Sequence, residues 1–209
     1  MSLLRIDSSI LGPHSASSEL ADLVLGEWTA LRPDEPVVQR HLGSDPLPSD
    51  AWAAAVSAGP TPEDQRTDAQ RAALALVDTL VGELRDADAI VLAFPLYNYG
   101  VSQHVKIWID LVSIATQGQR PLEGKPVVLL TTRGGFYGPG TPREGWDHNT
   151  DYLRRILADN WGADLTVVER EFTLVGVNPA LDEFTEQAAV LKKIAHEASA
   201  EAGRVLATR

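Results

Sequence analysis

Serines cluster between a short apolar segment and a helix-period segment near the start of the chain. A serine pair ending in Ser9 follows the apolar residues Leu3–Ile6. Ser15, Ser17 and Ser18 come directly before apolar positions at helix spacing. Serine hydroxyls and the free N–H groups of a helix's first turn both donate hydrogen bonds to anions. This pattern predicts a phosphate site, whereas simple helix capping would need only one of these serines.

A second segment places aromatic and amide side chains directly after an apolar run. Ala89–Phe94 has the length and composition of a buried strand, and a helix-period segment begins at Val101. In open α/β sheets, ligands bind at loops that follow the carboxyl ends of strands. We therefore predict a binding wall here, with packing of the tyrosines in the core as the alternative. The residues of this wall are Leu96, Tyr97, Asn98 and Tyr99.

Two adjacent glycines follow another buried run, Pro126–Leu130, in the segment Thr132–Gly135. Because Gly134 and Gly135 lack a Cβ atom, a flat ring can approach their backbone closely. A plain turn would explain these glycines equally well. Parallel strands end at one edge of their sheet, so the serine, aromatic and glycine loops are expected to lie side by side. Together the three loops predict a site for a phosphorylated planar cofactor.

Five apolar segments of strand length alternate with helix-period segments along the chain. They are Leu3–Ile6, Val37–Leu42, Ala89–Phe94, Pro126–Leu130 and Leu165–Phe172. Such alternation is typical of a parallel sheet with helices on both faces. No repeat or long linker divides the chain, so residues 1–209 are predicted to form a single three-layer, doubly wound α/β domain. The serine-rich first loop favours the flavodoxin-like strand order 2-1-3-4-5.

Helix boundaries follow from apolar spacing and from start signals. A helix is expected to begin at Thr61, with Pro62 in its first turn, and to end near Arg85. A short helix is expected over Asp50–Val56, and the C-terminal helix over Leu181–Leu206. Three further helices are expected to end near Leu31, Thr116 and Trp161.

Composition narrows the classes of function. The formal net charge of −11 disfavours general binding to nucleic acid or to anionic membranes, which attract Lys and Arg. The absence of cysteine excludes disulfides, thiolate catalysis and cysteine-ligated metals, and the five histidines show no metal-ligand spacing. The N-terminus becomes polar too early for a signal peptide, and no apolar run approaches the length of a membrane span. A cytoplasmic protein without a metal site is expected.

Several of these segments resemble the FMN-dependent NADH-azoreductase family, whose members are also described as NADH:quinone oxidoreductases. The matching segments occur in family order over most of the chain. They are Ser8-Ser9-Ile10-Leu11, Ser15-Ala16-Ser17, Pro95-Leu96-Tyr97-Asn98-Tyr99, Lys106, Asp110-Leu111-Val112 and Arg133-Gly134-Gly135. The proline–tyrosine–asparagine motif, followed by a helix and an Arg-Gly-Gly turn, is the specific part of the resemblance.

The resemblance implies a flavodoxin-like homodimer that takes a hydride from NADH or NADPH and passes two electrons to quinones or aromatic azo compounds in a ping-pong mechanism. No catalytic side chain is required, since the flavin performs the chemistry. Phe136 and Tyr137 would form the substrate pocket. The FMN-binding residues carried over by position are Ser9, His14, Ser15, Ala16, Ser17, Leu96, Tyr97, Asn98, Tyr99, Thr132, Arg133, Gly134 and Gly135.

Two departures from the family pattern lie on the substrate side. The segment Gln117–Gly124 is shorter than its counterpart in family members, and no histidine closely follows Gly135. The preference for NADH or NADPH and the physiological acceptor therefore stay open. The alternative function is a flavodoxin-type electron carrier without small-molecule turnover. A flavin-free hydrolase is disfavoured, because the chain lacks G-x-S-x-G. Rossmann and P-loop phosphate motifs are absent too.

Overall fold

A computed structural model describes residues 1–209 and places five strands in one parallel sheet. The strands are β1 (Leu3–Asp7), β2 (Val37–His41), β3 (Ala89–Ala93), β4 (Pro126–Thr132) and β5 (Asp164–Arg170). They lie in the order β2-β1-β3-β4-β5, and every neighbouring pair is parallel. The predicted flavodoxin-like order is thus confirmed. Every residue of β1 and β3 is buried, while β2 and β5 form the edges and are partly exposed.

Helices cover both faces of the sheet. They are α1 (Ala16–Leu31), α2 (Ala51–Ala58), α3 (Asp68–Asp86), α4 (Gln103–Ala115), α5 (Thr150–Arg154) and α6 (Thr185–Ala207). Since side chains alternate across a strand, Leu3 and Val91 face α1 and α6, while Leu4 and Leu92 face α2 to α5. None of the six helices combines the length and apolarity that crossing a membrane requires.

The start of α3 differs from its sequence prediction. Pro62 and the residues after it form a single 3₁₀ turn, and the helix begins only after Thr67. Thr67 accepts a hydrogen bond from the Gln70 N–H, and the Gln70 side chain accepts one from the Thr67 N–H. This reciprocal cap satisfies two backbone donors, whereas the Thr61 hydroxyl donates back to the carbonyl of Ser57. The stronger cap determines where the helix starts.

The last two helices also differ from expectation. Beyond α5 the chain continues in π-helical geometry over Arg155–Asn160, and the Trp161 N–H donates to the carbonyl of Ile156. Residues 179–184 form a 3₁₀ segment, so α6 begins at Thr185 rather than at Leu181. Proline at the start of that segment has no N–H to donate, which suits the first turn of a helix but not its interior.

Aromatic packing fixes α4 relative to the sheet. Trp108 is fully buried, and its ring contacts Phe94 at a centroid distance of 5.7 Å and Trp161 at 5.4 Å, both edge to face. Phe94 directly follows β3, so this aromatic cluster anchors the start of the loop between β3 and α4 in the core. Trp108 is therefore a core residue.

Candidate functional site

An open cavity of about 310 Å³ lies at the carboxyl ends of β1, β3 and β4. The loops after these three strands form most of its wall, joined by residues that follow β5 and by the long loop after β4. The lining residues are Ser9, Leu11, His14, Ser15, Ala16, Ser17, Pro95, Leu96, Tyr97, Asn98, Tyr99, Thr132, Gly134, Gly135, Tyr137, Arg143, Thr173 and Leu174. The sheet topology thus brings together the serine, aromatic and glycine loops.

The serine loop presents hydrogen-bond donors at the start of α1. Ser15 caps this helix by accepting from the Ser18 N–H at 3.1 Å, and its hydroxyl lies 3.1 Å from that of Ser17. The backbone N–H groups of Ala16 and Ser17 have no partner within the chain. Both amides belong to the first turn of a 16-residue helix, where the helix dipole adds positive potential. This end of the cavity can hold an anion.

The aromatic loop forms a tight type I′ turn over Tyr97–Gly100. Tyr97 and Gly100 exchange two backbone hydrogen bonds, of 3.0 and 3.1 Å. Asn98 and Tyr99 both adopt left-handed backbone geometry, with φ of +47° and +69°. Their own N–H groups make no hydrogen bond within the chain. The turn therefore offers two unpaired amides to a ligand whose edge carries acceptor atoms.

Tyr97 ties the aromatic loop to the serine loop. Its phenol oxygen lies 3.3 Å from the Ser9 hydroxyl and accepts a hydrogen bond from the Ile10 N–H at 3.1 Å. The Ser9 hydroxyl in turn accepts from the Leu11 N–H at 3.2 Å. The two ends of the cavity are therefore held at a fixed separation by side-chain contacts.

The glycine loop forms the flat part of the cavity wall. The residues after β5 pair with it, as the Leu174 N–H donates to the carbonyl of Gly134 at 3.1 Å. A Cβ atom on Gly134 would approach Leu174 Cδ1 to 2.6 Å, so a larger residue would displace that side chain. Glycine is required here for close packing between the two loops.

Arg133 was predicted to bind the cofactor, and it is not among the residues that line the cavity. Its guanidinium donates to Asp147 at 2.6 Å, to Glu169 at 3.0 Å and to Glu171 at 3.3 Å. Successive residues of an extended chain point to opposite sides, so Thr132 and Gly134 face the cavity while Arg133 faces the carboxylates. Arg133 holds the loops after β4 and β5 together.

The pKa values of two carboxyl groups around Arg133 are shifted in opposite directions. Burial alone would raise the pKa of Asp147, but hydrogen bonds from the Thr150 N–H and hydroxyl, together with the charge of Arg133, lower it below its usual value. Burial raises the pKa of Glu171, and the hydrogen bond from the Tyr137 N–H and the charge of Arg133 offset this only in part.

Phe136 is the other predicted site residue outside the cavity. Its ring packs at a tilt against Phe172 at a centroid distance of 5.1 Å, and Phe172 stacks on Phe184 at 5.0 Å. Because it packs in this apolar cluster, Phe136 does not line the cavity, whereas Tyr137 does. All other predicted cofactor residues line the cavity.

Some lining residues were not among the predicted site residues. They are Leu11, Pro95, Arg143, Thr173 and Leu174. Leu11 and Pro95 belong to the motifs that carried the family resemblance. Arg143 lies in an irregular loop, and Thr173 and Leu174 follow an edge strand, so neither hydrophobic period nor motif spacing marks them.

The comparison with known proteins agrees with this geometry. A family profile described as flavodoxin-like fold matches residues 1–194. An FMN-dependent NADH:quinone oxidoreductase of Frankia alni is 40% identical over 190 residues, covering 88% of this chain and 90% of that protein. One of Streptomyces avermitilis is 35% identical over 212 residues, covering 99% and 97%. The chain belongs to the flavodoxin-like FMN-dependent NADH:quinone oxidoreductase family. The resemblance seen in the sequence motifs is thereby confirmed.

The structure of this oxidoreductase family member also resembles solved structures. An azoreductase from Bacillus anthracis superposes with a TM-score of 0.78 at 20% identity, covering 98% of this chain and 99% of that one. A second B. anthracis structure, an FMN-dependent NADH-azoreductase in complex with FMN, gives a TM-score of 0.70 at 17% identity, covering 97% and 99%. At such identities these likenesses show the fold.

Proposed function

We propose that this protein is an FMN-dependent NAD(P)H:quinone oxidoreductase that also reduces aromatic azo compounds. The observation that carries the proposal is the placement of two unpaired helix amides and two unpaired turn amides around one cavity. The first pair suits a phosphate, and the second suits the acceptor atoms at the edge of a flavin ring. Family membership supports the same cofactor, because the curated relatives are named FMN-dependent.

Each loop would hold a different part of FMN. The phosphate would lie against Ser9, Ser15, Ser17 and the amides at the start of α1, with His14 and Ala16 beside it. Leu96, Tyr97, Asn98 and Tyr99 would form one wall of the ring site. Thr132, Gly134 and Gly135 would form the other wall, with Tyr137 at the substrate side. These assignments rest on where the side chains lie in the cavity.

Bound FMN supplies two-electron chemistry between a reduced nicotinamide and an electron acceptor. The chain's own contribution is to bind, orient and stabilise charge. The amides of Asn98 and Tyr99 would donate to the ring edge on which negative charge accumulates during reduction. No aspartate or glutamate lines the cavity, so the protein offers no carboxylate to act as an acid or base there. We propose that NADH or NADPH leaves before the acceptor enters, in ping-pong order.

We also propose that the protein, a single domain over residues 1–209, acts as a homodimer through the surface of α2 and α4. Trp52 and Val56, one helical turn apart on α2, are both about half exposed and together present apolar surface. They border grooves whose other walls include Ile107 and Ile114 of α4. Since α4 directly follows the aromatic loop, a partner on this surface would lie close to the cavity. A cytoplasmic location stays a prediction.

Anaerobic titration of the purified protein tests the proposed function. The protein should be yellow or take up added FMN, lose its flavin absorbance with NADH or NADPH, and recover it with menadione. A colourless protein that binds no added FMN would contradict the proposal. Reduction by NADH that menadione cannot reverse would instead indicate the alternative, an electron carrier that serves a protein partner.

A further inference from the structure

Arg143 is a cation in the cavity wall that has no carboxylate or hydrogen-bond partner. Of the 18 Lys and Arg side chains, 15 form ion pairs with carboxylates. Lys125 donates to three backbone carbonyls and Arg66 donates to the carbonyl of Thr61. Arg143 alone makes neither an ion pair nor a hydrogen bond. Arg143 is exposed, so its guanidinium is free to pair with a bound anion.

The position of Arg143 directs it at the ring side of the cavity. Its guanidinium carbon lies 5.7 Å from the centre of the Tyr137 ring, a cation–π distance. The same guanidinium lies against Gly135, where an added Cβ atom would come within 2.9 Å of Nη1. Tyr137 and Gly135 both line the cavity, away from the serine loop that would take the FMN phosphate.

The loop that carries Arg143 is fastened at both sides. The Tyr137 N–H donates to Glu171 at 2.8 Å, and the His148 N–H donates to the carbonyl of Tyr99 at 2.9 Å. Trp146 packs edge to face on Tyr99 at a centroid distance of 5.3 Å. The two nearby acids, Glu144 and Glu171, accept hydrogen bonds from the backbone of this loop rather than from Arg143. Neither acid forms an ion pair with the Arg143 guanidinium.

We propose that Arg143 binds an anionic group on the molecule that stacks over the flavin ring, and so selects negatively charged substrates. The inference rests on the proposed function and extends it to a substrate class: planar aromatic acceptors with a sulfonate or carboxylate, or the phosphates of the reduced nicotinamide. The forked guanidinium donates in parallel to two oxygens of such groups. No carboxylate lines the cavity to oppose an anion. Arg143 is a specificity-determining residue for the second molecule to bind.

Equilibrium binding to the oxidised, FMN-loaded protein tests this inference without turnover. The probes are a naphthoquinone sulfonate and menadione, which have the same ring system but differ in charge. Arg143→Gln should weaken binding of the sulfonate by about fivefold and change menadione binding by less than about twofold. Arg143→Lys should keep most of the sulfonate affinity. Arg66→Gln, which removes the same charge far from the cavity, should change neither affinity.

Ionic strength gives an independent readout. Added salt should disfavour sulfonate binding more in the unmodified protein than in Arg143→Gln, since the variant lacks the attraction to Arg143 that salt screens. A parallel titration compares NAD⁺ with N-benzylnicotinamide, which carries no phosphate; neither can reduce the flavin. A loss confined to NAD⁺ assigns the anion to the nicotinamide's phosphates, and a loss confined to the sulfonate assigns it to the acceptor. Equal affinities of Arg143→Gln and the unmodified protein for both anions would overturn the inference.

Failure of the proposed function can be distinguished from failure of this inference by the binding measurements. A protein that binds FMN but never transfers electrons would still show the sulfonate loss in Arg143→Gln if the inference holds. If the protein binds no FMN, calorimetric titration of the sulfonate into the same variants measures the anion contact alone. There an affinity that does not depend on Arg143 counts against the inference.

Discussion

The phenol oxygen of Tyr97 lies 3.3 Å from the hydroxyl of Ser9 and joins the loops after β1 and β3. Tyr97 also accepts from the Ile10 N–H, and the Ser9 hydroxyl accepts from the Leu11 N–H, so these contacts fix the chain from Ser9 to Leu11. The distance between the anion end and the ring end of the cavity thus depends on a single phenol.

Tyr97→Phe should weaken FMN binding about tenfold and lower the free energy of unfolding by about 1 kcal/mol, because two hydrogen bonds are lost. Quenching of flavin fluorescence on binding measures the first effect, and urea denaturation measures the second. Tyr99→Phe is the matched control, since the Tyr99 phenol makes no hydrogen bond and the side chain is 39% exposed. Equal FMN affinities for both variants would show that the phenol does not position the site.

Ser15→Ala should both destabilise the protein and weaken FMN binding. Ser15 caps α1 by accepting from the Ser18 N–H, and loss of a cap costs about 1 kcal/mol. Loss of its hydroxyl to a phosphate should cost about tenfold in FMN affinity. Thr67→Ala removes the equivalent cap of α3, far from the cavity, and should lower only the stability. If both variants bind FMN equally well, the phosphate does not lie at Ser15.

Gly134→Ala should reduce FMN affinity by about tenfold, because the added Cβ atom would come within 2.6 Å of Leu174 Cδ1 and displace that side chain of the cavity wall. Gly26→Ala is the control. Nothing lies within 4 Å of a Cβ atom at Gly26, and alanine in a helix interior should raise stability by up to about 1 kcal/mol. Titration of apoprotein with FMN, together with thermal unfolding, separates the two outcomes.

Asp147→Asn should lower the free energy of unfolding by about 2 kcal/mol at neutral pH, because Arg133 loses a buried partner. The pKa of Asp147 is lowered in the folded state, so its stabilising contribution is present above the unfolded-state pKa and is lost as the pH falls through the folded-state pKa. The difference between variant and unmodified protein should therefore shrink on acidification. Urea denaturation across the acidic range measures it, with exposed Asp34→Asn as control.

Trp52→Glu should convert the proposed dimer to a monomer, because it places a charge in the centre of the apolar surface of α2 and α4. Light scattering after gel filtration gives the mass directly. Val177→Glu, at a 74% exposed position on the loop after β5, should leave the dimer intact. An unmodified protein that is already monomeric at high concentration would refute the dimer.

The strand order could be predicted from the sequence because buried parallel strands read as short apolar runs, as in Ala89–Ala93. The loops followed from that order, since polar residues after β1, β3 and β4 must meet at one edge. Local signals were less decisive: Thr61 was the predicted helix start, but Thr67 caps α3, because the Gln70 side chain completes a reciprocal cap there.

Arg133 illustrates what sequence alone could not supply. Its motif placed it beside the cofactor, but its partners Glu169 and Glu171 become neighbours only through the pairing of β4 with β5. Arg143 could not be predicted as a site residue for a related reason. Its significance comes from having no partner, which only the arrangement of all other charges reveals.

In the left-handed turn at Asn98 and Tyr99, the backbone supplies the hydrogen-bond donors and the side chains supply the shape of the cavity wall. Its unpaired donors belong to the backbone, so exchanging either side chain leaves those donors in place. Asparagine, aspartate and glycine tolerate such geometry, whereas β-branched residues do not. Substitutions that tolerate this geometry can therefore change the shape of the cavity wall, and with it the acceptors that fit, while the two backbone donors proposed to bind the cofactor stay in place.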